Sequence, residues 1–209
     1  MSKPYSSRLE LRPLGAIHAA FVEALYGHPD VTRTLLRIQR AISREEACAF
    51  CQTSSAASGE YRFIAVLRAN DQPVGLGNLS MHGLAVGGVA NLGYSVLPAF
   101  WRQGIATELA ALLVDFAYRR LGAVEVHATT LHGNVASARV LEKLRFTIVD
   151  ANGRENRFSR GRAPGSPLVA TETDVTQQHR LQEHVRRRII IQHRQDLTAS
   201  HGRLRRSRW

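Results

Sequence analysis

The sequence predicts an α/β fold: one domain with a mixed, mostly antiparallel twisted sheet flanked by helices, then a basic C-terminal extension. Three observations predict it. Short apolar runs bounded by turn residues recur through the first 150 residues, as strands require. Two later segments, 105–121 and 134–145, carry apolar residues at helical spacing. Each of these segments lies between two strand-like runs, so helices alternate with strands in the second half.

In order, Leu9–Leu14 reads as a strand and Ala16–Tyr26 as a helix, with Ile17, Ala20, Phe21, Ala24 and Leu25 in helical period. Gly27-His28-Pro29-Asp30 ends that helix, and Val31–Arg40 reads as a short helix or loop. Ser43 caps a second helix running to Thr53, with Glu46 three residues later completing a capping box. Tyr61–Arg68 and Val74–Met81 read as paired strands joined by a turn at Ala69–Pro73. His82–Gly88 connects to a fourth strand, Val89–Leu97. The helix Ile105–Leu121 turns Ile105, Leu109, Leu112, Leu113, Phe116 and Ala117 to one side. Val124–Thr130 reads as a buried strand, Asn134–Arg145 as a helix and Phe146–Val149 as a strand. Gly75-Leu-Gly77-Asn-Leu-Ser80 is no dinucleotide fingerprint, because no helix follows it.

At 209 residues with 44% apolar content, the chain suits one domain plus an appendage. No apolar run reaches the roughly 18–20 residues that a membrane span needs. Lys3 is followed by no apolar signal core, so the expectation is a soluble, cytoplasmic protein without membrane contact. The formal charge of +11 is uneven. Residues 1–150 hold 15 Lys+Arg against 12 Asp+Glu, or +3, whereas 151–209 hold 13 against 5, or +8. From Asn152 onward the strand pattern fades. Pro164–Pro167 reads as a linker, Leu168–Val175 as a last strand, Thr176–Leu197 as a basic amphipathic helix and His201–Trp209 as disorder. The domain is therefore expected over 1–150, or to about 175, with 151–209 an atypical basic segment, partly disordered or helical. Cys48 and Cys51 are spaced C-x-x-C but lie inside a helix with no second ligand pair, so no metal site is expected.

Residues 92–107, LGYSVLPAFWRQGIAT, carry the most information. A strand passes through Pro98 and a bulky turn into Arg102-Gln103-Gly104-Ile105-Ala106-Thr107, which opens the long helix. Gly104 and Ala106 have little or no side chain, so a ligand can come close to the main chain. A helix's first turn leaves N–H groups unpaired at the positive end of its dipole. The stretch Arg102–Thr107 is thus an anion cradle suited to a diphosphate.

Gly93, Tyr94, Pro98, Trp101, Gly104, Ala106 and Thr107, followed by Asn134, Ser137, Val140, Leu141, Glu142, Lys143, Leu144 and Phe146, resemble two ordered motifs of the GNAT superfamily of acetyl-CoA-dependent N-acetyltransferases. More narrowly, with the opening Arg8–Leu14, they resemble the branch that acetylates ribosomal-protein N-termini at alanine or serine. The resemblance covers about residues 7–150. It implies a GNAT-like domain with splayed central strands, acetyl-CoA as co-substrate and no metal. Main-chain groups near Val96 and Leu97, the Arg102–Thr107 cradle and Asn134 are expected to hold the cofactor, with Asn134 also able to cap its helix. Many family members carry a tyrosine where this chain has Leu141. The resemblance moves that thiolate-protonating role to Ser137, which could equally be only a small residue beside the cofactor.

A general base is harder to read. Glu125 and His127 share one face of their strand, and either could act through water. Arg145 stands where the family has glycine, so a positive φ there would cost about 1 kcal/mol or more.

Three functions follow. The first is acetylation of a protein N-terminal α-amine. The second is acetylation of a small amine such as an antibiotic, polyamine or amino acid. The third is an inactive GNAT-fold protein that contacts nucleic acid or the ribosome through its basic tail. A monomer and a homodimer both remain open.

Overall fold

A computed structural model describes residues 8–38, 40–52, 58–82 and 87–163. The strand expected at 168–175, the basic helix at 176–197 and the tail at 201–209 lie outside the described residues.

Seven strands form one sheet: β1 (Leu9–Pro13), β2 (Glu60–Leu67), β3 (Pro73–His82), β4 (Val89–Val96), β5 (Glu125–Leu131), β6 (Thr147–Asn152) and β7 (Glu155–Gly161). Their spatial order is β1-β2-β3-β4-β5-β7-β6. Every neighbouring pair is antiparallel except β4 and β5, which run parallel. That parallel pair requires a crossover, supplied by α4 (Ile105–Arg119).

Strand alternation sends side chains to two cores. Ile64, Val66 and Leu76 pack under α1 (Ala19–Gly27), α2 (Pro29–Thr32) and α3 (Arg44–Gln52), whose Val22, Leu25, Val31 and Cys51 are buried there. Phe63, Ala65 and Val74 belong to the other core, with Leu109 and Leu113 of α4 and Leu141 of α5 (Val135–Lys143). Gly75 and Gly77 let α4 lie close on β3: a Cβ on Gly77 would meet the Leu113 side chain at 2.6 Å. The capping box of α3 forms as its sequence predicts, with Ser43 Oγ accepting from Glu46 N and the Glu46 carboxylate accepting from Ser43 N.

The sheet continues past residue 150. Residues 155–161, where the strand signal is faint, insert as β7 between β5 and β6. Their sequence, ENRFSRG, holds one large apolar side chain, Phe158, which is fully buried opposite Ala128. The other six side chains give no alternation to read. Arg145 adopts φ 61°, the left-handed conformation that its motif position demands of a glycine.

Candidate active site

The parallel pairing of β4 and β5 is short. It runs from Val89/Glu125 to Leu92/Ala128, yet β4 continues to Val96 and β5 to Leu131. The two strands therefore part beyond Leu92 and Ala128, opening a cleft in the middle of the sheet. Leu97 N donates to Val74 O at 2.9 Å, which fixes the phase of the β3–β4 ladder. Antiparallel bonding alternates, so Tyr94 and Val96 turn their main-chain groups the other way, into the cleft where no strand lies beside them. The indole of Trp101 returns to donate to Val96 O at 2.7 Å. The Val96 N–H thus remains as a donor on that edge, whereas the Leu97 N–H is engaged with β3.

At the mouth of the cleft, Gly104 caps α4 with φ 77° and Arg102 has φ 62°. These left-handed residues turn the chain so that Ile105, Ala106 and Thr107 open the helix with unpaired amides. Gln103 is held by its side-chain bond to Ala99 O at 2.9 Å. One feature of the cradle is invisible in local sequence. Buried Glu108 accepts from Arg8 N and Leu9 N at 3.0 Å and from Arg8 Nε at 2.8 Å. The same guanidinium donates to Gln103 O at 2.9 Å. Arg8 thereby offsets a carboxylate lying one turn below the anion cradle and ties the first strand to the loop. Residues 102–107 thus form one turn held to the first strand, with Gly104 and Ala106 leaving its main chain uncovered by their own side chains.

Across the cleft, Asn134 caps α5, its Oδ1 accepting from Ser137 N at 3.1 Å. Ser137 Oγ lies 2.9 Å from the hydroxyl of Tyr94, which also donates to Ser137 O at 3.3 Å. Burial pushes the Tyr94 phenol up to about 12, so it keeps its proton. The sequence marks Tyr94 only as part of a motif; its partner is 43 residues away.

On the other face of the sheet, His127 stands opposite Asn91 at the last turns of the paired segment, just before the strands part. Its Nε2 lies 3.0 Å from Glu125 Oε1. The buried Ser159 hydroxyl donates to the same Glu125 oxygen from β7. Ser159 first, then His127, hold the Glu125 carboxyl below the usual carboxylate range. Glu125 and His127 thus form one hydrogen-bonded chain with Ser159, Ser159–Glu125–His127, whose first member lies on β7, the element the sequence pattern barely signals.

Past the end of β5, a cavity of about 420 Å³ opens among Arg33 and Thr34 after α2, His132 and Asn134 after β5, and Arg154 in the β6–β7 turn. Asn134 Nδ2 donates to Thr34 O at 3.4 Å, joining its two walls. The cysteine pair lies elsewhere. Cys48 and Cys51 are free thiols on α3, and burial pushes Cys51 up to about 11, away from thiolate chemistry. Among the described residues no three His, Cys, Asp or Glu side chains cluster to hold a metal, and no helix is long and apolar enough to cross a membrane.

Comparison with known proteins agrees with this architecture. The sequence matches the acetyltransferase (GNAT) domain over residues 8–147. It is 30% identical over 143 residues to the uncharacterized N-acetyltransferase YoaA of Bacillus subtilis (strain 168), covering 68% of this chain and 80% of that one. Among solved structures, spermidine N-acetyltransferase from Vibrio cholerae, in complex with CoA and spermine, superposes with a TM-score of 0.66 at 17% identity, over 75% of this chain and 96% of that one. An acetyltransferase from Salmonella typhimurium that modifies the N-terminal serine of a 50S ribosomal subunit protein gives 0.63 at 20% identity, over 77% and 98%.

The chain belongs to the GNAT family. It is an acetyl-CoA-dependent acyltransferase, with the mixed split sheet that the family motifs imply.

Proposed function

We propose that this enzyme acetylates the α-amine of a protein N-terminus, as the motif resemblance to the ribosomal-protein branch implies. The observation that carries the reading is the cleft, which has separate equipment on its two faces. The thioester supplies an activated acyl carbonyl. Everything else comes from the chain.

The amides of Arg102–Thr107 bind the diphosphate, and Asn134 together with the main-chain groups of Tyr94 and Val96 holds the pantetheine arm along the open strand edge. The Val96 N–H, its neighbouring carbonyl already taken by Trp101, donates toward negative charge developing on the acyl oxygen. His127 accepts the proton of the incoming ammonium, directly or through water. Glu125 orients the imidazole and stabilises its cationic form, and Ser159 orients Glu125. On the far face, Ser137 passes its proton to the leaving thiolate and regains one from solvent, while Tyr94, which keeps its own proton, holds the Ser137 hydroxyl in place.

The test is an acetyl-transfer assay with thiol detection, run with N-terminal peptides and small amines side by side. Transfer to peptide α-amines supports the reading; transfer to small amines alone rejects it.

A further inference from the structure

The cavity beyond β5 shares only Asn134 with the chemistry above. Two of the side chains lining it, Arg33 and Arg154, are cationic, and among the described residues no carboxylate lines it. Arg33 is partly offset by Asp30, 3.0 Å away. Arg154 makes no ion pair among the described residues, and its main chain is pinned. Its carbonyl accepts from His132 N at 2.9 Å, and its N–H donates to Asn152 Oδ1 at 3.4 Å. The β6–β7 turn is therefore anchored to the end of β5, and it delivers a guanidinium to the rim of the cavity.

Resting on the reading of the cleft as an acyl-transfer site, we propose that this cavity selects acceptors with an acidic N-terminal sequence. Carboxylates within the first four residues would pair with Arg154 and Arg33, and polycationic amines would be excluded. The spacing fits. Four residue steps along β5 lead from His127 to Leu131 at the cavity, about 13 Å of extended chain. An extended peptide with its amine near His127 thus brings its fourth residue to the cavity rim, with the third within reach of the arginine side chains there. A polyamine brought there would meet like charges with no carboxylate to receive it.

The experiment uses three hexapeptide amides that begin with serine followed by three aspartates, three alanines or three lysines, together with spermidine. Binding to the CoA-loaded protein is measured by calorimetry, and transfer is measured separately. The aspartate peptide should bind about tenfold more tightly than the alanine peptide, and the lysine peptide more weakly than either. Arg154→Glu should reverse that order and Arg154→Lys should preserve it, while acetyl-CoA still raises the melting temperature of both variants. Equal binding, no binding of any peptide, or preference for the lysine peptide or spermidine overturns the proposal. Acid-selective binding that depends on Arg154, but without transfer, leaves the proposal standing and removes the peptide-transferase reading. Transfer without charge preference does the reverse.

Discussion

The two walls of the cleft are built in opposite ways. The β4 wall and its cradle come from one stretch of chain, residues 94–107, and act largely through main-chain groups. The β5 wall gathers Glu125, His127 and Asn134 with Ser137, Thr34, Arg154 and Ser159, from segments more than a hundred residues apart. On the proposed reading, the first wall grips a diphosphate, which needs only backbone geometry, and the second handles a proton and chooses an acceptor, which needs side chains from wherever the fold can supply them.

Breaking the first wall should have the largest effect. Gly104→Glu forces a side chain into a left-handed position and sets a carboxylate against the diphosphate amides. The variant should lose the acetyl-CoA-dependent rise in thermal stability, worth about 2.7 kcal/mol when ligand stands a hundredfold above Kd. A melting curve that still responds would reject the cradle. On the second wall, His127→Ala should lower kcat by about 100-fold and leave that rise intact. Glu125→Gln should lower kcat less. A kcat equal to that of the unmodified enzyme would exclude the dyad.

The link across the cleft should matter less. Tyr94→Phe should reduce kcat about tenfold by removing one hydrogen-bonding hydroxyl. Burial raises this phenol from 10.0 to about 12 in the folded chain. Its contribution to stability is therefore complete below pH 10.0 and lost as pH rises toward about 12. Alkaline denaturation of the variant should lack that component of the loss. Outside both walls, Arg145→Gly should relieve the left-handed strain at φ 61° and stabilise the protein by about 1 kcal/mol in urea titration, with activity unchanged.

This contrast also explains what the sequence could reveal. The open main chain at 104–106 is legible because glycine and alanine at a helix start report on main-chain access, and the Asn134 cap because its bond is local. Arg145 was legible because a motif glycine marks a backbone conformation. Glu125 and His127 could be paired by strand alternation, but Ser159 could not be added, since β7 shows one buried side chain among polar neighbours. Tyr94 with Ser137, and Arg8 with Glu108, meet across 43 and 100 residues, distances over which periodicity carries no information.

The bond from the Trp101 indole to the Val96 carbonyl gives the cleft a sense of direction. With that oxygen occupied, the Val96 end of the strand edge presents a donor, while the Tyr94 carbonyl two residues back stays open as an acceptor. A single aromatic ring in the turn after the strand thus sets the polarity of one end of the exposed edge.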